Sequence, residues 1–204
     1  MRHRPFLIIV SSPSGGGKTT IRNRLLQVVE NLAYSVSATT RPKRPGEIDG
    51  KDYIFVSRDK FLKWIEEGEL LEWAEVYGNF YGTPKTPILR YLSQGKDVLL
   101  DLEVNGKRSV EFAFPGRTVS IFILPPDLET LKKRLIERGT ESGEALQKRL
   151  QLIQDEMEHA FEYDYWVVND TLEQAVNRIV AIIEAERLKA DRALYAPLRK
   201  GLTI

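Results

Sequence analysis

The 204-residue chain contains no cysteine, which excludes disulfides, zinc–thiolate sites, iron–sulfur clusters and cysteine nucleophiles together, and suits a reducing compartment such as the cytoplasm. It also lacks an excess of either charge. Thirty Lys+Arg against 29 Asp+Glu leave a formal net charge of +1, so no global field draws the chain to nucleic acid or to an anionic membrane, and neither is expected as a partner. Long apolar runs are missing too: Phe6–Val10 is among the longest, far below the ~20 residues that span a bilayer. The basic start Met1-Arg2-His3-Arg4 leads into a Gly-rich loop without a small-residue cleavage pattern, so no signal peptide is read. Internal repeats and low-complexity segments are absent. What is present is an ordinary globular composition, 42% hydrophobic and 29% charged, at a length that allows one domain or one core with inserted lobes.

Strand-like runs alternate with segments of helical period, the pattern of an α/β protein with a mainly parallel sheet. Five strands are expected, at Phe6–Val10, Tyr34–Thr39, Asp97–Leu102, Thr118–Leu124 and Tyr165–Val168, rich in the Val, Ile, Leu and aromatic residues that a doubly covered strand needs. Thr20–Leu32 aligns Ile21, Leu25, Val28 and Leu32 on one helix face, and Glu144–Phe161 aligns Leu146, Leu150, Ile153 and Met157. Thr86-Pro87 reads as an N-cap followed by proline at the first helical position, with Gly95 as the stop. Thr171 and Gln174 have capping-box spacing before a last helix that packs through Ala175, Ile179 and Ile182.

Two stretches interrupt the alternation. Ser37–Leu92 holds a Pro- and Arg-rich segment, a strand-like Tyr53–Val56, a short helix ending near Gly68 and a hairpin turn at Gly78-Asn79. Asp127–Glu158 is charged, and Gly139 and Gly143 flank a polar connection able to act as a hinge. The expected organisation is one domain with a core of about 1–36, 93–126 and 159–204, one lobe at about 37–92 and a second at about 127–158.

The segment Ser11–Thr20, SSPSGGGKTT, lies between a strand-like run and an amphipathic helix. Consecutive glycines let the backbone curl so that several N–H groups converge on phosphate oxygens, and the helix presents its positive end to the same anion. The phosphate cradle is thus Ser12, Pro13, Ser14, Gly15, Gly16, Gly17, Lys18, Thr19 and Thr20. The Lys18 ammonium can reach β- and γ-phosphates, and the Thr19 hydroxyl stands where a Mg²⁺ ligand belongs. Ser12 occupies the position of the pattern's first glycine. Such a loop implies a phosphate-loop three-layer core and nucleotide binding, not a reaction. The length leaves little room for a motor or transporter ATPase, and no NKxD or TKxD guanine-specificity segment of a switch GTPase is found. A kinase acting on a small acceptor is favoured.

Arg41 and Arg44 follow, with Lys43 between them and prolines on either side, in TTRPKRPGEIDGKDY. Planar guanidinium forks suit a phosphate monoester, and the hydroxyls of Tyr53 and Tyr81 add neutral donors. Together with the phosphate loop, EWAEVYGNFYGT, LLDLEVNG, LKKRLIERGT and VVND, in that order along nearly the whole chain, this segment resembles the guanylate kinase family. The resemblance implies a nucleoside monophosphate kinase of purine nucleotide metabolism that moves the γ-phosphoryl group of ATP to GMP, with Mg²⁺ accompanying the donor. It puts the GMP phosphate among Arg41, Arg44, Tyr53 and Tyr81.

Base choice is expected from Glu72, Ser37 and Thr83, with Asp101 or Glu103 as a further candidate. Guanine offers N1–H and N2–H₂ as adjacent donors to a carboxylate, whereas hydroxyls can donate to O6 or N7. Thr83 stands where the family more usually has serine. Asp101 ends an apolar run and so emerges at the carboxyl end of a central strand, where open α/β sheets bind ligands. Orienting Mg²⁺ waters and positioning the acceptor compete as its role; the resemblance favours acceptor contacts for Asp101 and Glu103. Arg134, Arg138 and Arg149 correspond to lid arginines that meet the ATP phosphates and the transferring group. Asn169-Asp170 corresponds to an adenine-side contact, though a helix-start turn before Thr171 reads equally well. A kinase for another phosphorylated acceptor would lack the guanine-reading set, and a scaffold module that keeps only binding would have no need of Lys18, Thr19 and the lid arginines. The near-neutral total also conceals a bias: in the first 50 residues Arg2, Arg4, Lys18, Arg22, Arg24, Arg41, Lys43 and Arg44 face only Glu30, Glu47 and Asp49, a distribution suited to a small polyanion.

Overall fold

Leu7–Ser11 forms strand β2, and all five of its residues are buried, because a strand flanks it on each side and helices cover both faces. The computed structural model describes residues 2–13, 15–76, 78–127, 129–131, 153 and 155–194. Within them β2 is the centre of a parallel five-stranded sheet with β3 (Leu32–Tyr34), β8 (Asp97–Asp101), β9 (Thr118–Leu124) and β10 (Tyr165–Val168), in the order β10-β9-β2-β8-β3. Alternate side chains of β2 supply two cores. Ile8 and Val10 pack with Ile21 and Leu25 of α1 (Lys18–Val28) and with Ala175, Ile179 and Ile183 of α5 (Leu172–Arg187). Leu7 and Ile9 face Ile88 and Leu92 of α3 (Lys85–Ser93) and Val110 of α4 (Val104–Ala113). Three layers result, as the alternating sequence pattern requires.

A second sheet holds the acceptor-side residues. β4 (Ala38–Thr39), β5 (Ile54–Phe55), β6 (Leu70–Val76) and β7 (Asn79–Pro84) run in the order β5-β4-β7-β6, and α2 (Arg58–Glu66) covers them through Phe61, which packs on Ala38, Leu70 and Phe80. The Ser57 hydroxyl caps α2 by accepting from the Lys60 amide at 3.2 Å. Val76 pairs with Asn79, so the hairpin closes over two residues, and Gly78 takes φ +76°. A third, small sheet joins β1 (Arg2–His3) to β11 (Ala193–Leu194). The start of the C-terminal tail therefore lies on the core, where buried Arg192 pairs with Glu186.

Several boundaries differ from the sequence pattern. The strand expected over Tyr34–Thr39 is two strands in different sheets: the Ser35 amide still bonds Leu99 in the core sheet at 3.0 Å, whereas the Ser37 carbonyl already accepts from Ile54 of the second sheet at 2.9 Å. An apolar run cannot register that transfer. The helix expected to reach Leu32 ends at Val28; Asn31 takes φ +57° and turns the chain so that Leu32 pairs with Asp97, a conformation that asparagine tolerates better than most residues. Val29, rather than half-exposed Val28, is buried. Thr86 does not cap α3, which starts two residues earlier than expected, at Lys85 after Pro84; Gly95, at φ +79°, does follow its end. Thr171 caps α5 through the Gln174 amide at 3.3 Å, while the Thr171 amide bonds Asp170 instead of Gln174. Of the segment Asp127–Glu158, Leu131 and Ile153 are buried together beside Met157; Leu146, Leu150 and both hinge glycines lie outside the described residues.

Candidate active site

The phosphate loop leaves the carboxyl end of β2 and enters α1 at Gly17, whose φ of +90° serves as the helix N-cap without a side-chain cap bond. A Cβ at Gly17 would come within 2.5 Å of the Asn169 amide nitrogen, and one at Gly16 within 2.7 Å of the Ser12 side chain. Two glycines are thus required by close approach, one of them also by its backbone angle. Ser12 fits because its hydroxyl turns onto the Pro13 carbonyl at 3.0 Å. Gly15 is also in the left-handed region, at φ +85°; Ser14 lies outside the described residues. Thr19 and Thr20 are exposed in the first turn of α1, with the Thr19 hydroxyl accessible for a ligand.

Lys18 points across the crevice to Asp101, at 2.8 Å. Burial works against its ammonium, but Asp101, with Glu103 and Glu156 further out, outweighs burial and holds its pKa above the ordinary lysine value. The carboxyl end of β8 therefore provides a resting counter-ion for the phosphate-loop cation. Asn169, at the end of β10, donates through Nδ2 to the Gly16 carbonyl at 2.8 Å and is buried. Its amide is directed at the loop's backbone. A further brace lies below the loop: the Tyr163 hydroxyl donates to Ser11 Oγ at 2.8 Å, and Ser11 Oγ donates to the Leu102 carbonyl at 2.5 Å. The roots of the loop and of the Asp101 strand are thereby tied together, and burial pushes the Tyr163 hydroxyl up to about 12.

On the acceptor side Arg41 is buried and its guanidinium lies over the rings of Tyr53 and Phe55, at 5.0 and 5.6 Å. Both oxygens of Glu47 receive its end-on N–H groups, which, before any other influence, holds the Glu47 carboxyl down at about 2. The Arg44 side chain is exposed, while its amide donates to Glu47 at 2.8 Å. Tyr53 and Tyr81 meet edge to face at 6.0 Å. The Tyr53 hydroxyl is raised by burial and then by Asp101, with Arg41 and Lys18 opposing, so the acceptor residues and the phosphate-loop lysine share one electrostatic environment.

Glu72, on β6, receives the Thr83 hydroxyl at 2.5 Å. Thr83 is fully buried, so its hydroxyl orients the carboxylate instead of waiting for a base, a different use from the donation to O6 or N7 expected from sequence. Burial raises the Glu72 pKa, Thr83 opposes, and Glu103 adds to the rise. Gly106 in the first turn of α4 gives the carboxylate its space: a Cβ there would lie 3.1 Å from Glu72 Oε2. Glu103 is the α4 N-cap but makes no side-chain cap bond; it stands where it acts on both Lys18 and Glu72. Asp101 does not cap that helix either, being paired with Lys18. Ser37 is half-buried at the entry to β4, and its carbonyl is used by Ile54. Arg134, Arg138 and Arg149 lie outside the described residues.

A sequence model of the guanylate kinase family matches residues 4–186. The chain belongs to the guanylate kinase family. The guanylate kinase of Carboxydothermus hydrogenoformans is 47% identical over 199 residues, covering 98% of this chain and 97% of that protein. That of Lactococcus lactis is 48% identical over 194 residues, covering 95% of this chain and 94% of its own length. The crystal structure of guanylate kinase from Anaplasma phagocytophilum superposes with a TM-score of 0.81 at 37% identity, covering 98% of this chain and 95% of that one. The sequence reading of the family and of a parallel α/β phosphate-loop core is borne out.

Four residues with evident work at the site were not singled out from sequence: Glu47, Gly106, Ser11 and Tyr163. Glu47 left a signal, a carboxylate three residues after Arg44 in a basic, Gly-turned loop. The others depend on contacts between distant segments and left none.

Proposed function

We propose that this chain performs ATP:GMP phosphoryl transfer by direct in-line attack, with the residues of the crevice acting through position and charge. The reaction moves the γ-phosphoryl group of ATP to a phosphate oxygen of GMP, giving ADP and GDP. The observation that carries the assignment of roles is the pairing of Lys18 with Asp101 at the carboxyl end of a central strand, where an open α/β sheet binds ligands, within electrostatic reach of Tyr53 just before β5 of the second sheet.

The loop from Ser12 to Thr20 holds the ATP phosphates on its backbone N–H groups. Lys18 exchanges Asp101 for phosphate oxygens when the donor arrives. Arg41, Arg44, Tyr53 and Tyr81 hold the GMP phosphate, and its oxygen is already anionic, so no strong general base is needed; catalysis comes from alignment and neutralisation of charge. Arg134, Arg138 and Arg149 belong to a lid, residues about 127–158, that closes over the lobe at about 37–92 and excludes water. Glu72, held by Thr83, accepts from guanine N1–H and N2–H₂, with Ser37, Asp101 and Glu103 beside it. Adenine would leave that half-buried carboxylate with Thr83 as a donor but none from the base, which supports discrimination of ~10⁴–10⁵ in favourable sites.

The described residues contain no group of three or more His, Asp or Glu able to hold a metal ion. That donor chemistry fits Mg²⁺ bound mainly by substrate phosphates and water, with the Thr19 hydroxyl as its protein ligand. Mg²⁺ would neutralise charge on the donor phosphates. Among the described residues no helix is long and apolar enough to cross a membrane, and we place the enzyme in the cytoplasm, with ATP and GMP as its partners and no nucleic acid.

A coupled assay of ADP release tests the reading. With ATP and Mg²⁺, GMP should support turnover well above AMP, dTMP or CMP; ADP release no faster with GMP than without an acceptor would overturn it.

A further inference from the structure

We infer that Glu47 is a positioning residue for phosphoryl acceptance, fixing which edge of Arg41 meets the acceptor phosphate. The inference rests on the reading of Arg41 as part of the GMP-phosphate clamp.

A guanidinium has five N–H donors in a rigid plane. In Arg41, Nη1 gives one hydrogen to Glu47 Oε2 at 2.8 Å and the other to the Pro42 carbonyl at 2.9 Å, and Nη2 gives one to Glu47 Oε1. Three of the five are used. The remaining two, Nε–H and the second Nη2 hydrogen, lie together on the side-on edge and have no partner among the described residues. Two parallel N–H groups on one edge are the geometry that accepts two oxygens of a phosphate.

The plane itself is held as well as the edge. Arg41 is buried, and its guanidinium is seated over the Tyr53 and Phe55 rings. Glu47 Oε2 also receives the Arg44 amide at 2.8 Å, and the Glu47 amide donates back to the Arg44 carbonyl at 3.2 Å. One carboxylate therefore closes the whole 41–47 loop around the guanidinium. Gly46, at φ +86° with open space where a Cβ would stand, makes the turn that brings Glu47 back.

Electrostatics alone predicts the opposite contribution. A carboxylate paired with the clamp cancels part of the positive charge that attracts a dianion, so if Glu47 acted only as a charge, its removal would tighten GMP. If it sets the edge, removal lets a long side chain reorient, and GMP weakens despite the lost repulsion.

The test is a double-mutant cycle on GMP affinity in the full-length chain, read by calorimetric titration, with KM for GMP and for ATP alongside. Glu47→Ala is expected to weaken GMP by about 10-fold or more, raising KM for GMP and leaving KM for ATP in place; Glu47→Gln, which keeps one acceptor oxygen and the side-chain volume, should fall between. In an Arg41→Ala background the same Glu47→Ala change should weaken GMP far less than it does with Arg41 present, because only the hold on the Arg44 amide and the repulsion then remain to be lost. Unchanged or tighter GMP binding by Glu47→Ala and Glu47→Gln with Arg41 present overturns the proposal, as does equal weakening in both backgrounds, which would mean a merely structural loop. If Arg41→Ala itself leaves GMP affinity untouched, the clamp reading fails instead.

Discussion

Asn169 Nδ2 donates to the Gly16 carbonyl at 2.8 Å, across 153 residues of sequence, so the strand at one edge of the sheet supports the phosphate loop emerging from its centre. The side chain fills the space that a Cβ at Gly17 would need. Loop and brace are shaped to each other, and the N–H groups that face a ligand are held in place before it arrives.

Loss of that brace should therefore affect every donor alike. Asn169→Ala is expected to raise KM for ATP several-fold through a loosened phosphate loop. If Asn169 acts on the loop, KM for ITP rises by the same factor and the preference between the two is preserved. A selective loss of ATP over ITP would identify a contact with the adenine ring instead.

Lys18 rests on Asp101, so its charge is placed before the donor binds and needs only a change of partner. Lys18→Ala removes the moving charge and should lower kcat by about 10²–10³. GMP affinity, measured by titration without ATP, should remain within about threefold of wild type, because the acceptor side keeps its own arginines. Unchanged turnover would show that Lys18 does not touch the transferring group.

How far such contacts could be read in advance depends on their span. The phosphate loop was legible because its strand, glycines, Lys18 and Thr19 are contiguous, and local backbone rules connect them to phosphate. Ile21 and Leu25 announced the buried face of α1 through helical spacing. The passage from β3 to β4 was not legible, since Tyr34 and Thr39 have equal claims to be strand and only the pairing partners, Leu99 for Tyr34 and Phe55 for Thr39, tell the sheets apart. Thr83 was found, but its bond to Glu72 was not: the two are cross-strand neighbours whose register depends on a shift between Leu70 and Glu72. Tyr163, Ser11 and Leu102 come from three separate segments, and no local pattern could assemble them.

The pair of Glu72 and Thr83 yields a pH prediction. Burial raises the Glu72 pKa and the Thr83 hydroxyl opposes that rise. The base-reading form is the ionised one, so kcat/KM for GMP should fall as pH drops through a value above the ordinary carboxylate range. Thr83→Val removes the opposing donor and should move this acid limb to higher pH, while the ionisation of GMP itself is the same for both proteins. A pH profile of kcat/KM for the two enzymes decides it: coincident limbs would separate Glu72 from the effect. The stability consequence has the opposite sign to that of a salt-bridged acid. With its folded pKa raised, Glu72 binds its proton more tightly in the folded state, and stability falls as pH rises through the window between its unfolded and folded values. Glu72→Gln should accordingly weaken the preference for GMP over AMP without lowering Tm at neutral pH.

Asp97 makes the contrasting case of a buried charge that serves the fold. Its side chain is fully buried at the start of β8, yet it receives the Phe6 amide at 3.2 Å, contacts His3 Nε2 at 2.9 Å and accepts Arg187 Nε at 2.9 Å. These partners come from β1, from the residue that precedes β2 and from α5, so one carboxylate ties segments far apart in sequence to the central sheet. Arg187 also donates to the Glu30 carbonyl at 2.8 Å, which keeps its guanidinium in place even without Asp97. Asp97→Ala would then leave that cation and the Phe6 amide without their buried acceptor, at a cost of about 3–5 kcal/mol. For a chain of this length that corresponds to a Tm lower by roughly 6–20 °C. Thermal unfolding followed by circular dichroism measures it directly, and KM for both nucleotides on the folded variant should remain close to wild type because Asp97 stands at the opposite end of β8 from Asp101. A drop of less than about 2 °C would mean that the three partners find water or one another as readily as they find Asp97.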